Sequence, residues 1–249
     1  MINYSVNNKI ALLKLNRPEK RNALHPELVN ELKEKLFAAK NNDAVSTVIL
    51  TGEGKSFCAG ADLAYLNDLG NYSSVENEID SKSLADLFLQ IYNFPKPTIA
   101  AVNGAAIAGG CGLASVCDII VADEQHAKFG YSEVKIGFIP AIVSVFLIRK
   151  IGEGRAKHLL MTGEIIDAEK AYQLGLVNYL TENVQSFAFE LADKLLDNSD
   201  YSMQFTKKIV NDLSTLPVDK AVEYCIGLNT ISRTSSDFKK GLSSFLNKK

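Results

Sequence analysis

Residues 103–118, NGAAIAGGCGLASVCD, set two adjacent glycines, Gly109 and Gly110, where an apolar strand run gives way to a helical one, with Gly112 inside the first helical turn. A helix N-terminus carries unpaired N–H groups and the positive end of the helix dipole, so a turn without side chains lets an oxygen approach those donors closely. The pattern occurs once before, in SFCAGADLAYL, where Ala61 holds the place that Gly109 holds in the second copy. If the two N–H groups converge they form an oxyanion hole, in which one donor is worth about 3 kcal/mol of barrier. Glycines at such turns also serve tight strand–helix packing, and both readings stay open at this point.

Other reactive side chains offer less. Cys58, Cys111, Cys117 and Cys225 have no C-x-x-C spacing and lie in apolar surroundings, so buried thiols are expected, with no metal site and no disulfide framework. His25, His126 and His158 are scattered without a ligand pattern. Ser115 and Ser132 lie outside any G-x-S-x-G elbow, which speaks against a serine hydrolase. The net charge of −2 over 249 residues, with no run of like charges, gives no support for nucleic-acid or anionic-membrane binding. The N-terminal twenty residues lack a signal peptide's basic start and apolar core, and no apolar run reaches the roughly 18 residues of a membrane span, so a cytoplasmic protein is expected.

The elements that must position the turns follow from periodicity. KIALLKLN and VSTVILTG read as strands, and HPELVNELKEKLFAAK as an amphipathic helix with Pro26 in its first turn. GNYSSVENEIDSKS reads as a surface insertion before a helix over LADLFLQIYN. FPKPTIAAVNG starts the strand–turn–helix cycle again, CDIIVADE and AKFGY read as short strands, and from FIPAIVSVFLIRKIG onward the chain reads as nearly all helical. The expectation is an α/β core over residues 1–195 with a helical C-terminal region over 196–249.

NRPEKRNAL, GKSFCAGADL, NGAAIAGGCGLASVCDI, FGYSEVKIGFIP and MTGEIIDAEKAYQLGLVN occur in an order and spacing that resemble the enoyl-CoA hydratase/isomerase, or crotonase, family over essentially the whole chain. The resemblance implies an α/β fold, a crotonase-like spiral of repeated β-β-α units with a C-terminal helical trimerisation region, assembled as a homotrimer or a dimer of trimers. It implies an acyl-CoA thioester substrate, with coenzyme A as part of the substrate and no separate cofactor. Ala61 and Gly109 match the oxyanion-hole positions, and Glu133 the glutamate that delivers a proton at the thioester α-carbon. Burial should raise the pKa of that carboxyl. Ala59, Gly60, Asp62, Leu63 and Gly110 match the CoA-binding turns, and Asp62 also suits a helix start. Phe245 and Lys248 match a tail that reaches the CoA of a neighbouring subunit.

The chain departs from the two-glutamate hydratases at Gly112, where they carry the first glutamate. One carboxylate suffices to move a proton between C2 and C4, as in a Δ3,Δ2-isomerase, while syn hydration remains chemically open. Loss of the second carboxylate also leaves open an acyl-CoA-binding protein without catalysis. The sequence IPA in place of IPG resembles the bacterial methylglutaconyl-CoA hydratase-like branch. The reading is therefore a hydratase for 3-methylglutaconyl-CoA, a step of leucine degradation, with Gly112 enlarging the pocket for a branched acyl group. A cation should then meet the distal carboxylate, with Lys135, Arg149 and Lys150 nearby in sequence but more in keeping with solvated surface.

Overall fold

The computed structural model describes residues 1–247. β1 (Ile2–Asn7) and β2 (Ile10–Leu15) form a hairpin whose turn residues Asn8 and Lys9 both take the positive φ of a tight two-residue turn. α1 (Pro26–Lys40) follows, with Pro26 at its first turn and Leu28, Leu32 and Leu36 buried at the i+4 spacing that the sequence showed.

Three β-β-α units come next. The first joins β3 (Thr47–Gly52) and β4 (Ser56–Cys58) to α2 (Leu63–Leu69) and α3 (Ser74–Tyr92). The second is β5 (Thr98–Val102), β6 (Ala105–Ile107) and α4 (Gly109–Ser115). The third is β7 (Ile119–Asp123) and β8 (Lys128–Gly130), followed through a 3-10 turn by α5 (Ala141–Ile151) and α6 (Glu153–Thr162). β9 (Ile165–Asp167), α7 (Ala168–Gln173), β10 (Tyr179–Thr181) and α8 (Val184–Leu195) then close the core.

The first strand of each unit lies in a six-stranded sheet of order β1-β2-β3-β5-β7-β10, and the second in a four-stranded sheet of order β4-β6-β8-β9. Both sheets advance by parallel pairing from unit to unit, so the turns that leave β4, β6 and β8 sit side by side. This is the spiral that the resemblance implied. β3 is buried along its length because both faces of its sheet are covered: Ile49, Ile99 and Val121 pack on Val184, Ala188 and Ala192 of α8, and Val48 and Leu50 face the main core. That double cover is why the strand reads as a continuous apolar run.

Two expectations need correction. The supposed surface insertion is helical: α3 starts at Ser74, fixed by a capping box in which Ser73 and Glu76 satisfy each other's backbone N–H groups. The stretch after α6 is not all helix, since β9 and β10 pair with β8 and β7 at the sheet edges. Beyond α8 come α9 (Asp200–Leu213), α10 (Val218–Ser232) and α11 (Ser236–Leu246), none with a buried residue. α9 is tied to the core by Lys207 to Asp118 at 2.8 Å and by Asn211 to the Tyr92 carbonyl at 3.0 Å. Among the described residues, no helix is long and apolar enough to cross a membrane.

Candidate active site

The three adjacent turns open into a cavity of about 640 Å³. Ala59, Ala61 and Leu63 line it from the first turn, Ala108 and Gly109 from the second, Ser132 and Glu133 from the third. α1 and the residues just before it, α2, α3, and the 136–140 loop with the start of α5 supply the remaining walls.

The first turn is held by residues 17–24. Leu24 and Ala61 form a parallel bridge in which the Leu24 N–H donates to the Gly60 carbonyl at 2.7 Å and the Asp62 N–H to the Leu24 carbonyl at 2.9 Å. That pattern turns the Ala61 N–H away from Leu24, and it meets no acceptor among the described residues. Asn22 is fully buried: its side chain accepts from the Arg17 N–H at 2.9 Å and donates to the Glu53 and Ser56 carbonyls. Arg17 pairs with Asp62 at 3.1 Å, and Asp62 caps α2 by accepting from the Ala64 N–H. Burial works against ionisation of Asp62, but the Arg17 and Ala64 hydrogen bonds outweigh it and hold its carboxyl below the ordinary value.

In the second turn Ala108 stands at φ 50, ψ −123, a conformation that a residue with a side chain adopts only under strain of about 1–3 kcal/mol. The strained peptide leads straight into Gly109, the first residue of α4, whose N–H has no acceptor among the described residues. The two turns interlock: a Cβ on Gly60 would lie 2.8 Å from the Ile107 carbonyl oxygen, and one on Gly110 only 2.0 Å from that of Cys58. These two glycines are bare because backbone crosses backbone there.

Glu133 lies in the 3-10 turn Ser132–Ile136, 7% exposed, and its Oε2 has no hydrogen-bond partner among the described residues. Burial pushes its carboxyl above the ordinary value of 4.5. A bare, buried carboxylate beside two bare N–H groups can carry a proton to or from a carbon whose oxyanion the amides hold. Ser115 is no nucleophile, since its hydroxyl donates to the Cys111 carbonyl and meets the buried Tyr131 hydroxyl at 2.9 Å.

Of the residues singled out in sequence, Ala59, Ala61, Leu63, Gly109 and Glu133 line the cavity, and Leu63 is 77% exposed at its edge. Gly60, Asp62, Gly110 and Gly112 do not reach its surface; they shape the wall from behind. Gly112 does not enlarge the pocket, because a Cβ there would meet Val143 Cγ1 at 2.4 Å and the Phe88 ring at 3.1 Å. Val143 and Phe88 fill that space, and Val143 forms the cavity wall instead. Phe245 stands on α11, 68% exposed and outside this chain's cavity lining, and Lys248 lies outside the described residues.

Lys150 corrects another expectation. It is not solvated surface but donates to the carbonyls of Ser115, Cys117 and Asp118 at the end of α4, and burial lowers its pKa. Arg149 donates to the Val145 carbonyl, and Lys135 is exposed. No Lys or Arg lines the cavity among the described residues.

A polar group in the far wall had no mark in the sequence. Tyr65 of α2 donates its hydroxyl to Asp80 of α3 at 2.5 Å, and the His25 ring meets the Tyr65 ring edge-on at 5.5 Å. Burial first, then the Asp80 hydrogen bond, raise the Tyr65 phenol far above its ordinary value. Asp80 falls in a stretch whose polar composition masked α3, so nothing marked it as facing a cavity.

Residues 5–249 match the family model described as enoyl-CoA hydratase/isomerase. A crotonyl-CoA hydratase of Syntrophomonas wolfei is 35% identical over 245 residues, 97% of this chain and 93% of that one. A 2,3-dehydroadipyl-CoA hydratase of Escherichia coli is 33% identical over 244 residues, again 97% and 93%. The crystal structure of an enoyl-CoA hydratase from Shewanella pealeana superposes with a TM-score of 0.95 at 31% identity, covering 100% of this chain and 94% of that one.

Proposed function

The chain belongs to the enoyl-CoA hydratase/isomerase family, and from that premise we propose that it hydrates the α,β double bond of an enoyl-CoA thioester. The observation that carries the reading is the bare, buried Glu133 carboxyl sharing a cavity with the unpaired N–H groups of Ala61 and Gly109. In this reading the two amides receive the thioester oxygen and stabilise it as it becomes an enolate. Glu133, ionised, takes a proton from water as the water oxygen bonds to C3, then returns a proton to C2 on the same face. The carboxylate is regenerated and the elements of water have been added. Coenzyme A comes and goes as part of the substrate, so the scheme needs no separate cofactor.

Isomerisation is the second reading, and Gly112 favours it: with Val143 and Phe88 packed over that position, Glu133 is the carboxylate left to take a proton from C2 and return it at C4. The assay is incubation with crotonyl-CoA, 3-methylglutaconyl-CoA and a 3-enoyl-CoA in ¹⁸O water, read by mass spectrometry. Label in a 3-hydroxyacyl product marks hydration; an unlabelled 2-enoyl product of unchanged mass marks isomerisation; binding without product overturns both. Glu133→Gln is expected to lower kcat by about 10²–10⁴-fold while leaving CoA binding in place.

The IPA loop sequence speaks for 3-methylglutaconyl-CoA, but no Lys or Arg lines the cavity among the described residues to meet its carboxylate, and the lining favours a neutral acyl chain over it. Self-association as a trimer or a dimer of trimers is supported by the apolar side chains that α10 and α11 leave in solvent, among them Val222, Ile226 and Leu242. In such an assembly Phe245 and Lys248 would serve the CoA of a neighbouring subunit.

A further inference from the structure

Two of the relatives act on acyl chains of opposite character, a neutral crotonyl group and a dehydroadipyl group that ends in a carboxylate. The far wall of the cavity distinguishes between them. Leu66 and Leu69 of α2, Leu84 of α3, and Phe138, Ile142 and Val143 around the start of α5 offer a hydrocarbon surface, and Asp80 stands among them. Among the described lining residues the charged side chains are Asp80 and Glu133, both acidic.

The cations near this wall are already engaged. Lys33 donates to the hydroxyl and carbonyl of Ser83, and Arg17 is paired with Asp62 behind the first turn. Of the neutral polar groups, the Tyr65 hydroxyl is donated to Asp80, and His25 accepts the Glu27 N–H at Nδ1 with its ring set edge-on to Tyr65. A carboxylate at the end of an acyl chain would leave water for an apolar wall carrying a like charge and, among the described residues, no Lys or Arg to pair with.

We propose that Asp80, braced by Tyr65, is a specificity-determining residue that restricts the site to acyl chains without a distal negative charge. The inference rests on the acyl-CoA reading above. Asp80 acts by charge and Tyr65 by position: the hydrogen bond ties α2 to α3 across the wall and fixes one carboxylate oxygen where a tail would end.

The test compares 2-hexenoyl-CoA with 2,3-dehydroadipyl-CoA, which have the same six-carbon chain and differ in a terminal methyl or carboxylate. Wild type is expected to favour hexenoyl-CoA by on the order of 100-fold in kcat/KM, the size of effect that one unpaired charge produces. Asp80→Asn should narrow that ratio at least about tenfold, chiefly by raising kcat/KM for dehydroadipyl-CoA, whereas Tyr65→Phe, which keeps the charge and releases its position, should narrow it by less. Equal turnover of the two substrates by wild type overturns the proposal. So does an Asp80→Asn variant that loses both activities equally, or a Tyr65→Phe variant that relaxes the ratio as far as Asp80→Asn. Calorimetric binding of hexanoyl-CoA and adipyl-CoA gives the same comparison without turnover. If neither enoyl substrate reacts, the hydratase reading fails by itself, and the binding ratio in wild type and Asp80→Asn still decides the fate of Asp80.

Discussion

Glu133 combines burial with an unpaired oxygen, and the combination has opposite consequences for activity and stability. As a base it must be ionised, so kcat/KM is expected to fall on the acid side with an inflection above the ordinary 4.5, and a profile flat down to that value would rule out Glu133 as the base. For stability the sign reverses. The folded protein binds the Glu133 proton more tightly than the unfolded chain does, so this group's contribution is fully present below 4.5 and is lost as pH rises through the raised value. Glu133→Gln should therefore be inactive yet melt modestly higher than wild type at pH 8, with the advantage vanishing below pH 4.5. An unchanged melting temperature at pH 8 would show that solvent reaches the carboxyl. At this scale spacing marked the turns of Ala61 and Gly109, the family resemblance marked Glu133, and the fold brings all three to one cavity. The sequence hid those whose role is geometric. Nothing in the letters marks Ala108 as strained, Asn22 as the buried bracket of the first turn, or Asp80 as facing a cavity, because each depends on which backbone passes beside it.

At the scale of elements, α4 shows how a glycine read from sequence changes meaning once its neighbour is known. Gly112 suggested added space, but Val143, from a later helix, occupies it, and sequence spacing carries no sign of that pairing. Gly112→Ala is expected to cost about 1–3 kcal/mol through overpacking against Val143 and Phe88. Val143→Ala, which deletes the side chain nearest the new Cβ, should recover much of that loss. A double-mutant cycle in urea checks it: purely additive losses would mean that the two positions do not share the space. α3 carries the converse lesson. Its S-x-x-E capping box was legible at Ser73 and Glu76, but the polar run after it resembles a loop, and its helicity follows from that cap together with Leu87, Phe88 and Ile91 entering the core. The strands were easier, because a sheet covered on both faces demands apolar residues in sequence order.

At the scale of the whole molecule, one C-terminal helix is tied to the core and two are tied to that helix, α10 through Tyr224 to Asp212 and α11 through Asp237 to Ser199. α9 holds the core through Lys207, half-buried against Asp118, and through Asn211, so it remains docked in a single chain. α10 and α11 have no buried residue, yet Val222, Ile226, Phe238 and Leu242 are apolar and open to solvent. Burying one such side chain fully is worth about 1.5–3 kcal/mol, so an assembly that covers several of them gains enough to persist at low concentration. Placing a carboxylate in that surface reverses the gain, because it must be desolvated without a partner. Ile226→Glu is accordingly expected to shift the protein from a multimer to a monomer in sedimentation equilibrium at micromolar concentration. Glu133, Ala61 and Gly109 lie on the core turns, so the monomer should retain the cavity and lose CoA affinity only to the extent that a neighbour contributes to the CoA site. A wild-type protein already monomeric under those conditions would leave α10 and α11 without the role assigned to them. A monomeric variant with undiminished CoA affinity would show that each chain binds its substrate unaided.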